Sequence, residues 1–341
     1  MIKHVSPAAD PSNGVAVYGR QVERIISQLP ESLRKKNIVH LEIGNGGAKE
    51  LWAAYRLRRR PAGQQLVLTL HDPPVVVAKP FSPYFGTNPV SKTLRKLVDI
   101  TVGRRLVQTT VRAADAIIVL NPLAKPVVAR KFRLPESRIH VLPLINLVGT
   151  AASPAKPSGQ HPILFFGNLA RQKGLDVLIQ AYLQAELDHS DTPLTIIGGW
   201  GDNRSYRKQV EKLAATAQHI VFAGRTGDEE LRQQIAAAAV VVLPYYDPGI
   251  IHASGPLVAA MAVGKPIIAS DIPIFSGYIE NGITGRLFPQ GDVDALAAAL
   301  VGLVSDSAAQ KQLGAAAKQR AEQNYSLEIL AQKLTKVYQS L

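Results

Sequence analysis

The stretch IHASGPLVAAMAVGKPIIASDIP, residues 251–273, decides the fold when set beside GNLARQKG at 167–174. GNLARQKG follows the apolar run PILFF at 162–166 and precedes an amphipathic stretch that reaches Leu187. That order is strand, short glycine-containing loop, helix. Such a loop leaves backbone N–H groups at the helix start free to meet an anion, and Arg171 and Lys173 stand beside them. The later stretch repeats the plan. Ser254-Gly255 opens a helix of small residues, Gly264 ends it, and Pro266 leads into a buried strand at 267–269. Two phosphate-facing turns, about 80 residues apart in one half of the chain, fit a nucleotide diphosphate held between helix N-termini.

The first segment, read as FFGNLARQKGLDVLIQAY (165–182), resembles the signature that opens the donor-binding domain of the family 4 glycosyltransferases. SGPLVAAMAVGKPIIASDIPIF (254–275), with ENGITGRLF (280–288), resembles that domain's second signature. LVLTLHDPP (66–74) is similar to the His-containing strand end of the family's first domain, and AADAIIVLNP (113–122) to its last strands. The resemblance implies an α/β chain of GT-B architecture: two Rossmann-like domains, an interdomain cleft and a C-terminal helix returning to the N-terminal domain. It sets the expected boundaries at 1–150 for an acceptor- and membrane-facing domain and 151–323 for the nucleotide-sugar domain. Residues 324–341 are then the returning helix.

Other features agree. At 341 residues the chain exceeds what one hydrophobic core organises. Apolar β-like runs alternate with helical stretches, the pattern of parallel sheets with covering helices. The expected strands include 38–43, 65–70, 116–120 and 139–142, then 163–166, 194–197, 220–222, 240–243, 267–269 and 285–288. The segment VGTAASPAKPSGQH (148–161) is poor in large apolar residues and reads as a linker. Cysteine is absent, which rules out disulfides and thiolate chemistry and fits a reducing compartment. The start MIKHVSPAAD has no apolar signal region, and no run approaches a membrane span.

The net charge of +13 is uneven. Residues 1–150 carry 23 Lys and Arg against 9 Asp and Glu, whereas 151–341 carry 16 against 17. An excess confined to one half implies an anionic partner for that half. Membrane lipid, a phosphate-bearing acceptor and nucleic acid are the candidates; no nucleic-acid reader motif accompanies the charge, and an anionic membrane surface is the expected partner. In AKELWAAYRLRRR (48–60), Trp52 and Tyr55 share a face, with Arg56, Arg58, Arg59 and Arg60 beside them. That is a basic amphipathic helix with an aromatic anchor. The same spacing also describes an ordinary sheet-covering helix.

His71 ends an apolar strand and is followed by Asp72. Strand ends in open α/β sheets face the ligand crevice. The resemblance implies that His71 reaches toward the donor sugar, with Asp72 as a possible acceptor base. It also implies donor contacts for Gly14 in an early glycine loop, for Gly167 and Asn168, and for Gly199 and Arg225 near the nucleobase. His252 is expected near the sugar or diphosphate. Ser254, Gly255, Pro256 and Leu257 form the helix start, and Glu280 is a candidate for the ribose. The loop at 44–47 is a weaker anion-binding candidate.

Lys173 is the expected charge stabiliser of the leaving diphosphate. Asn168 stands where the family usually has a basic residue, and Arg171 is the candidate substitute. Two glutamates, eight positions apart in many relatives, align here with Ile251 and Ala259. This marks a divergent subfamily and leaves the stereochemical course open. No His, Asp or Glu cluster has metal-ligand spacing, so neither metal nor cofactor is expected. Together these readings predict transfer of a sugar, a hexose in the resemblance's terms, from a nucleotide diphosphate to a glycolipid or polysaccharide-precursor acceptor. The expected location is the cytoplasmic face of the plasma membrane, with peripheral attachment. A soluble epimerase or hydrolase, and an inactive nucleotide-sugar-binding subunit, are the competing readings.

Overall fold

In the central strands of this chain, successive positions are mostly apolar, and in the structure both faces are buried. All six residues of Ile38–Ile43 and all four of Val240–Leu243 are buried. Strands buried on both faces belong to parallel sheets covered by helices on each side. The computed structural model describes residues 1–6, 14–44, 48–73, 89–146, 148, 162–189, 192–201 and 203–341. The linker reading at 149–161 lies outside the described residues.

The first sheet holds β1 (Lys3–Val5), β2 (Ile38–Ile43), β3 (Gln65–Leu70), β4 (Ala116–Val119) and β5 (Ile139–Val141). They lie side by side in that order, all parallel. Around them run α1 (Gly14–Gln28), α2 (Glu31–Arg34), α3 (Ala48–Leu57), α4 (Pro89–Val98), α5 (Arg104–Arg112) and α6 (Ala124–Phe132).

The second sheet holds β6 (Ile163–Phe166), β7 (Leu194–Ile197), β8 (Ile220–Gly224), β9 (Val240–Leu243), β10 (Ile267–Ser270) and β11 (Arg286–Phe288). Its order is β11-β10-β9-β6-β7-β8, again all parallel. Its helices are α7 (Leu175–Gln184), α8 (Arg204–Ala214), α9 (Asp228–Ala237), α10 (Gly255–Val263), α11 (Pro273–Ser276), α12 (Val293–Val304) and α13 (Ser307–Asn324). The helix α7 stops short of Leu187 because Glu186 takes a left-handed conformation (φ 54°).

Contacts divide the chain into two units. The first contains Met1–Ile145, Ile250–Ala253 and Leu327–Leu341; the second contains Asn146–Gly249 and Ser254–Ser326. The last helix, α14 (Leu327–Gln339), therefore belongs to the first unit. Its C-terminal carbonyls, Tyr338 and Gln339, accept hydrogen bonds from the Lys36 ammonium at 3.0 and 3.1 Å. A cation at a helix C-terminus also meets the negative end of the helix dipole.

In the second unit, α10 ends at Gly264 in a left-handed cap (φ 80°) and packs directly on α13 at Gly314. A Cβ built on Gly314 would stand 2.2 Å from the carbonyl oxygen of Gly264, so side-chain volume there would push the two helices apart. Gly302, exposed in the interior of α12, is different. Its added Cβ would meet only the tip of the Arg286 side chain, at 3.3 Å. Gly314→Ala should destabilise the second unit by about 2 kcal/mol, whereas Gly302→Ala should stabilise it by up to about 1 kcal/mol through helix propensity. Thermal unfolding of the two variants should show midpoints moving in opposite directions, by several degrees for Gly314→Ala.

Candidate functional site

Within the second unit, β6 and β9 are central neighbours, and the strand order runs away from them in opposite directions. The connections leaving their C-terminal ends head in opposite directions along the sheet, and in open α/β sheets ligands bind outside such a switch point. GNLARQKG leaves β6 there, and residues 244–254 leave β9.

Two contacts lock these loops together. Tyr246 N–H donates to Gln172 O at 2.9 Å. Gly174, the N-cap of α7, adopts φ 64°, and a Cβ on it would lie 1.8 Å from Pro244 O. Only glycine fits that close left-handed turn. The turn sets Lys173 against the end of β9. Its ammonium lies 3.7 Å from the ring centroid of Tyr245, itself wholly buried and packed on Phe275. No carboxylate pairs with Lys173 among the described residues. Burial pushes its pKa down to about 8. A desolvated cation over an aromatic face, lacking a counter-ion, is poised for an anion.

The start of α10 offers the second element. Ser254 caps the helix, its hydroxyl accepting from Leu257 N–H at 3.4 Å, and Pro256 has no N–H to offer. Gly255 is exposed, with open space where a Cβ would stand. Gly167 lies against Pro256, at 3.4 Å from a built Cβ. Leu169 N–H donates to Gly199 O at 2.9 Å, and the Arg225 guanidinium lies over Gly199. Gly167, Gly199 and Arg225 are thus joined into one loop cluster, with Asn168 exposed within it.

Three expected donor contacts have other tasks. The Leu257 side chain is fully buried in the core, so only its capped N–H faces the helix start. Arg171 turns toward α8, donating to Gln209 Oε1 at 2.8 Å with its guanidinium 4.9 Å from the Tyr206 ring. Glu280 is exposed and pairs with Arg320 of α13 at 3.5 Å. The two positions aligned with glutamates are apolar for a packing reason. Ala259 is buried inside α10, and Ile251 packs against the core of the first unit.

In the first unit, β3 continues to His71, whose N–H donates to Ile43 O at 2.9 Å. The ring meets Tyr18 of α1 edge-on at 5.5 Å. Its Nε2 is bonded to the carboxylate of Glu42, a residue at the centre of β2 with no solvent exposure. Burial alone would raise the Glu42 pKa, but hydrogen bonds from His4 and His71 hold it below the usual carboxylate range. Asp72 follows, half-buried in a turn. The segment 250–253 is tied alongside: Ile251 N–H donates to Pro73 O at 2.6 Å, and Asn121 Nδ2 donates to His252 O at 3.3 Å. His252 is thereby brought to the His71 end of the first sheet. Gly14 is the exposed first residue of α1. Residues 45–47 of the candidate loop at 44–47 lie outside the described residues.

Sequence reasoning missed Glu42. The signal was available, since a glutamate and a histidine sit inside the otherwise apolar strand IVHLEI.

The helix expected over 48–60 ends at Leu57, and its anchor faces inward. Trp52 and Tyr55 pack on the first core, and Arg58 stacks over Tyr55 at 3.7 Å. Arg60 is committed to the fold. It bonds Asp115 Oδ2 at 2.6 Å and the carbonyls of Gln64 and Ala113 at 2.7 and 3.0 Å. Only Arg56 and Arg59 of this group are exposed. Exposed apolar side chains lie elsewhere, several of them close together in sequence at Val90, Leu94 and Leu97 of α4 and at Val102 just beyond it, others at Met1, Leu123, Val221, Ile283 and Val301. Among the described residues, no group of three or more His, Cys, Asp or Glu gathers as a metal site, and no single helix is long and apolar enough to cross a membrane.

Comparison with known proteins gives one consistent result. The sequence model of the family described as "Glycosyl transferases group 1" matches residues 150–320, half of the chain. A phosphatidyl-myo-inositol mannosyltransferase of Mycolicibacterium smegmatis is 30% identical over 54% of this chain and 46% of its own length. The chain thus spans about half the length of the mannosyltransferases it matches. An alpha-D-kanosaminyltransferase of Streptomyces kanamyceticus is 24% identical over 89% of this chain and 77% of its own. Among solved structures, Anabaena HepE in complex with UDP superposes with a TM-score of 0.70 at 18% identity, covering 93% of this chain and 82% of that one. The fold is therefore the two-domain GT-B arrangement that the signatures implied.

Lys173 makes a pH test. The unfolded chain keeps this proton up to about 10.5 and the folded one only to about 8. Unfolding takes up a proton between those values, so this group makes the native state more stable as pH rises from about 8 to 10.5. An anion beside Lys173 reverses the shift and draws the proton back. Pyrophosphate affinity should therefore fall as pH rises through about 8. Calorimetry in buffers of different ionisation enthalpy should show proton uptake there, and Lys173→Met should abolish it.

Proposed function

Because the chain belongs to the glycosyl transferases group 1, we propose that it moves a sugar, a hexose in the simplest case, from a nucleotide diphosphate donor to a lipid-linked or polysaccharide-precursor acceptor. The observation that carries this reading is Lys173, desolvated on the Tyr245 ring without a carboxylate partner among the described residues. As the sugar–phosphate bond breaks, negative charge grows on the leaving diphosphate, and a fixed ammonium stabilises it most at that moment. The dipole at the start of α10 adds to the same field. Residues of this chain supply the neutralising charge, so the reading needs no metal. Gly167, Asn168, Gly199 and Arg225 form the loop cluster assigned to the nucleotide, with Gly255 and Pro256 at the diphosphate. His71, Asp72 and His252 are assigned to the sugar and acceptor.

A lipid acceptor is supported by the mannosyltransferase relatives, whose name specifies phosphatidyl-inositol, and by the basic first half of the chain. The membrane-facing surface is assigned to α4 rather than to α3. Val90, Leu94 and Leu97 recur at helical spacing and are each more than half exposed. Arg104 and Arg105, both exposed, open the next helix. Apolar residues that enter an interface beside cations that meet anionic headgroups make a peripheral attachment, here to the cytoplasmic face.

Incubation with a panel of UDP- and GDP-sugars tests the function. The matching donor should raise the melting temperature and be slowly hydrolysed. Lys173→Ala should lower turnover by about 100-fold or more while leaving the fold intact. Donor binding without any turnover would instead identify an inactive binding subunit, the outcome that apolar residues at 251 and 259 favour.

On vesicles, Leu94→Ser with Leu97→Ser should cost about 3 kcal/mol of binding that salt does not restore, the scale of two buried leucines. Neutralising Arg104 and Arg105 should cost about 2 kcal/mol, and only at low salt. Arg60→Gln should lower thermal stability instead and leave vesicle binding unchanged. Equal binding to neutral and anionic vesicles would remove the membrane from the reading.

A further inference from the structure

Glu42 is a buried carboxylate with both oxygens engaged. Oε1 meets His4 Nε2 at 3.1 Å, and Oε2 meets His71 Nε2. The far nitrogen of His4 meets Glu23 at 3.3 Å, which fixes that ring from both sides. Beside it on β2, His40 is held between Tyr338 Oη and Thr69 Oγ1, each at 2.7 Å. Burial holds His40 near a pKa of 3, so it stays neutral. The carboxylate is thus a fixed acceptor in a rigid wall.

An ionised carboxylate accepts hydrogen bonds and donates none. The nitrogen of His71 that faces Glu42 must therefore carry a proton. In the neutral ring the other nitrogen then has a lone pair. That nitrogen, Nδ1, has no hydrogen-bond partner among the described residues. The backbone makes room for this arrangement, since a Cβ on Gly44 would stand 2.9 Å from the His71 Cβ. Tyr18 closes the ring's flank.

We propose that Glu42 is a positioning residue that fixes His71 as the Nε2–H tautomer, so that Nδ1 accepts a hydrogen bond from a sugar hydroxyl. This rests on the glycosyl-transfer reading above and adds the direction of the proton at its His71 end. The hydroxyl belongs to the donor sugar or to the acceptor, and the two give different kinetics. The titratable groups around His71 are Glu42 and His40 on β2, His4 on β1, Tyr18 on α1, Asp72 beside it in the chain, and His252 on the segment tied to Pro73. Of these, Glu42 is the one bonded to the ring.

The decisive measurement is the nitrogen spectrum of 15N-histidine-labelled protein, with the His71 signals assigned by their loss in His71→Gln. At neutral pH the wild-type ring should show a protonated Nε2 and a bare Nδ1. A protonated Nδ1 with a bare Nε2 overturns the proposal, and this reading needs no variant to fold. In Glu42→Gln, whose amide can donate to Nε2, the pattern should change. There kcat/KM should fall about tenfold or more at neutral pH, because the ring is no longer held with Nδ1 bare. An unchanged rate with an unchanged nitrogen spectrum in Glu42→Gln also overturns it.

The arms separate the two hydroxyl sources. Loss of both donor hydrolysis and transfer places a donor hydroxyl on Nδ1; loss of transfer alone places the acceptor's there. If no sugar nucleotide is turned over, the glycosyl-transfer reading fails, while the wild-type spectrum still decides the tautomer by itself.

Discussion

Strands buried on both faces constrain everything else in this molecule. Once both sides of a strand are apolar, it must lie inside a parallel sheet with helices above and below. Parallel strands all end on the same edge, so every loop that follows a strand is delivered there. In the second unit the reversal of strand order between β6 and β9 marks a switch point on that edge. Lys173, Gly255 and the 198–199 loop are found on the connections around that point. In the first unit the same rule brings His71 to the end of β3. The residues proposed to carry the chemistry thus lie on chain segments that have no freedom to be elsewhere.

Much of this was legible in the amino-acid order. The glycine loops at 167–174 and 254–264 carry conformational demands that few other residues meet, and they lie where those demands predicted. The strands are also legible, because buried parallel strands are unbroken apolar runs. What local pattern could not reveal were pairings between distant residues. Nothing near Arg60 in the chain announces Asp115, and nothing near Arg171 announces Gln209. A basic residue in a row of arginines reads as solvated until its partner is seen. Glu42 escaped for the opposite reason. A single acid in an apolar strand reads as an interruption, and only the arrival of His4 and His71 from neighbouring strands gives it a role.

The loss of carboxylates at 251 and 259 also has a structural meaning. Residue 259 is enclosed by α10 packing, and residue 251 is seated on the first unit's core beside Pro73. An ionised group at either site would be desolvated without a partner, at a cost of several kcal/mol. The apolar residues at these positions avoid that cost.

The first unit is assembled from three separate stretches of chain, and its last helix comes after the whole second unit has been made. The buried hydrogen bond between His40 and Tyr338 joins residues 298 positions apart. During synthesis, the first sheet must therefore wait with the Tyr338 side of its wall uncovered while the second unit forms. Loop closure over that span is slow compared with local helix formation. The second unit, needing fewer such returns, is the part that can mature early, and the nascent first unit is the part most in need of protection.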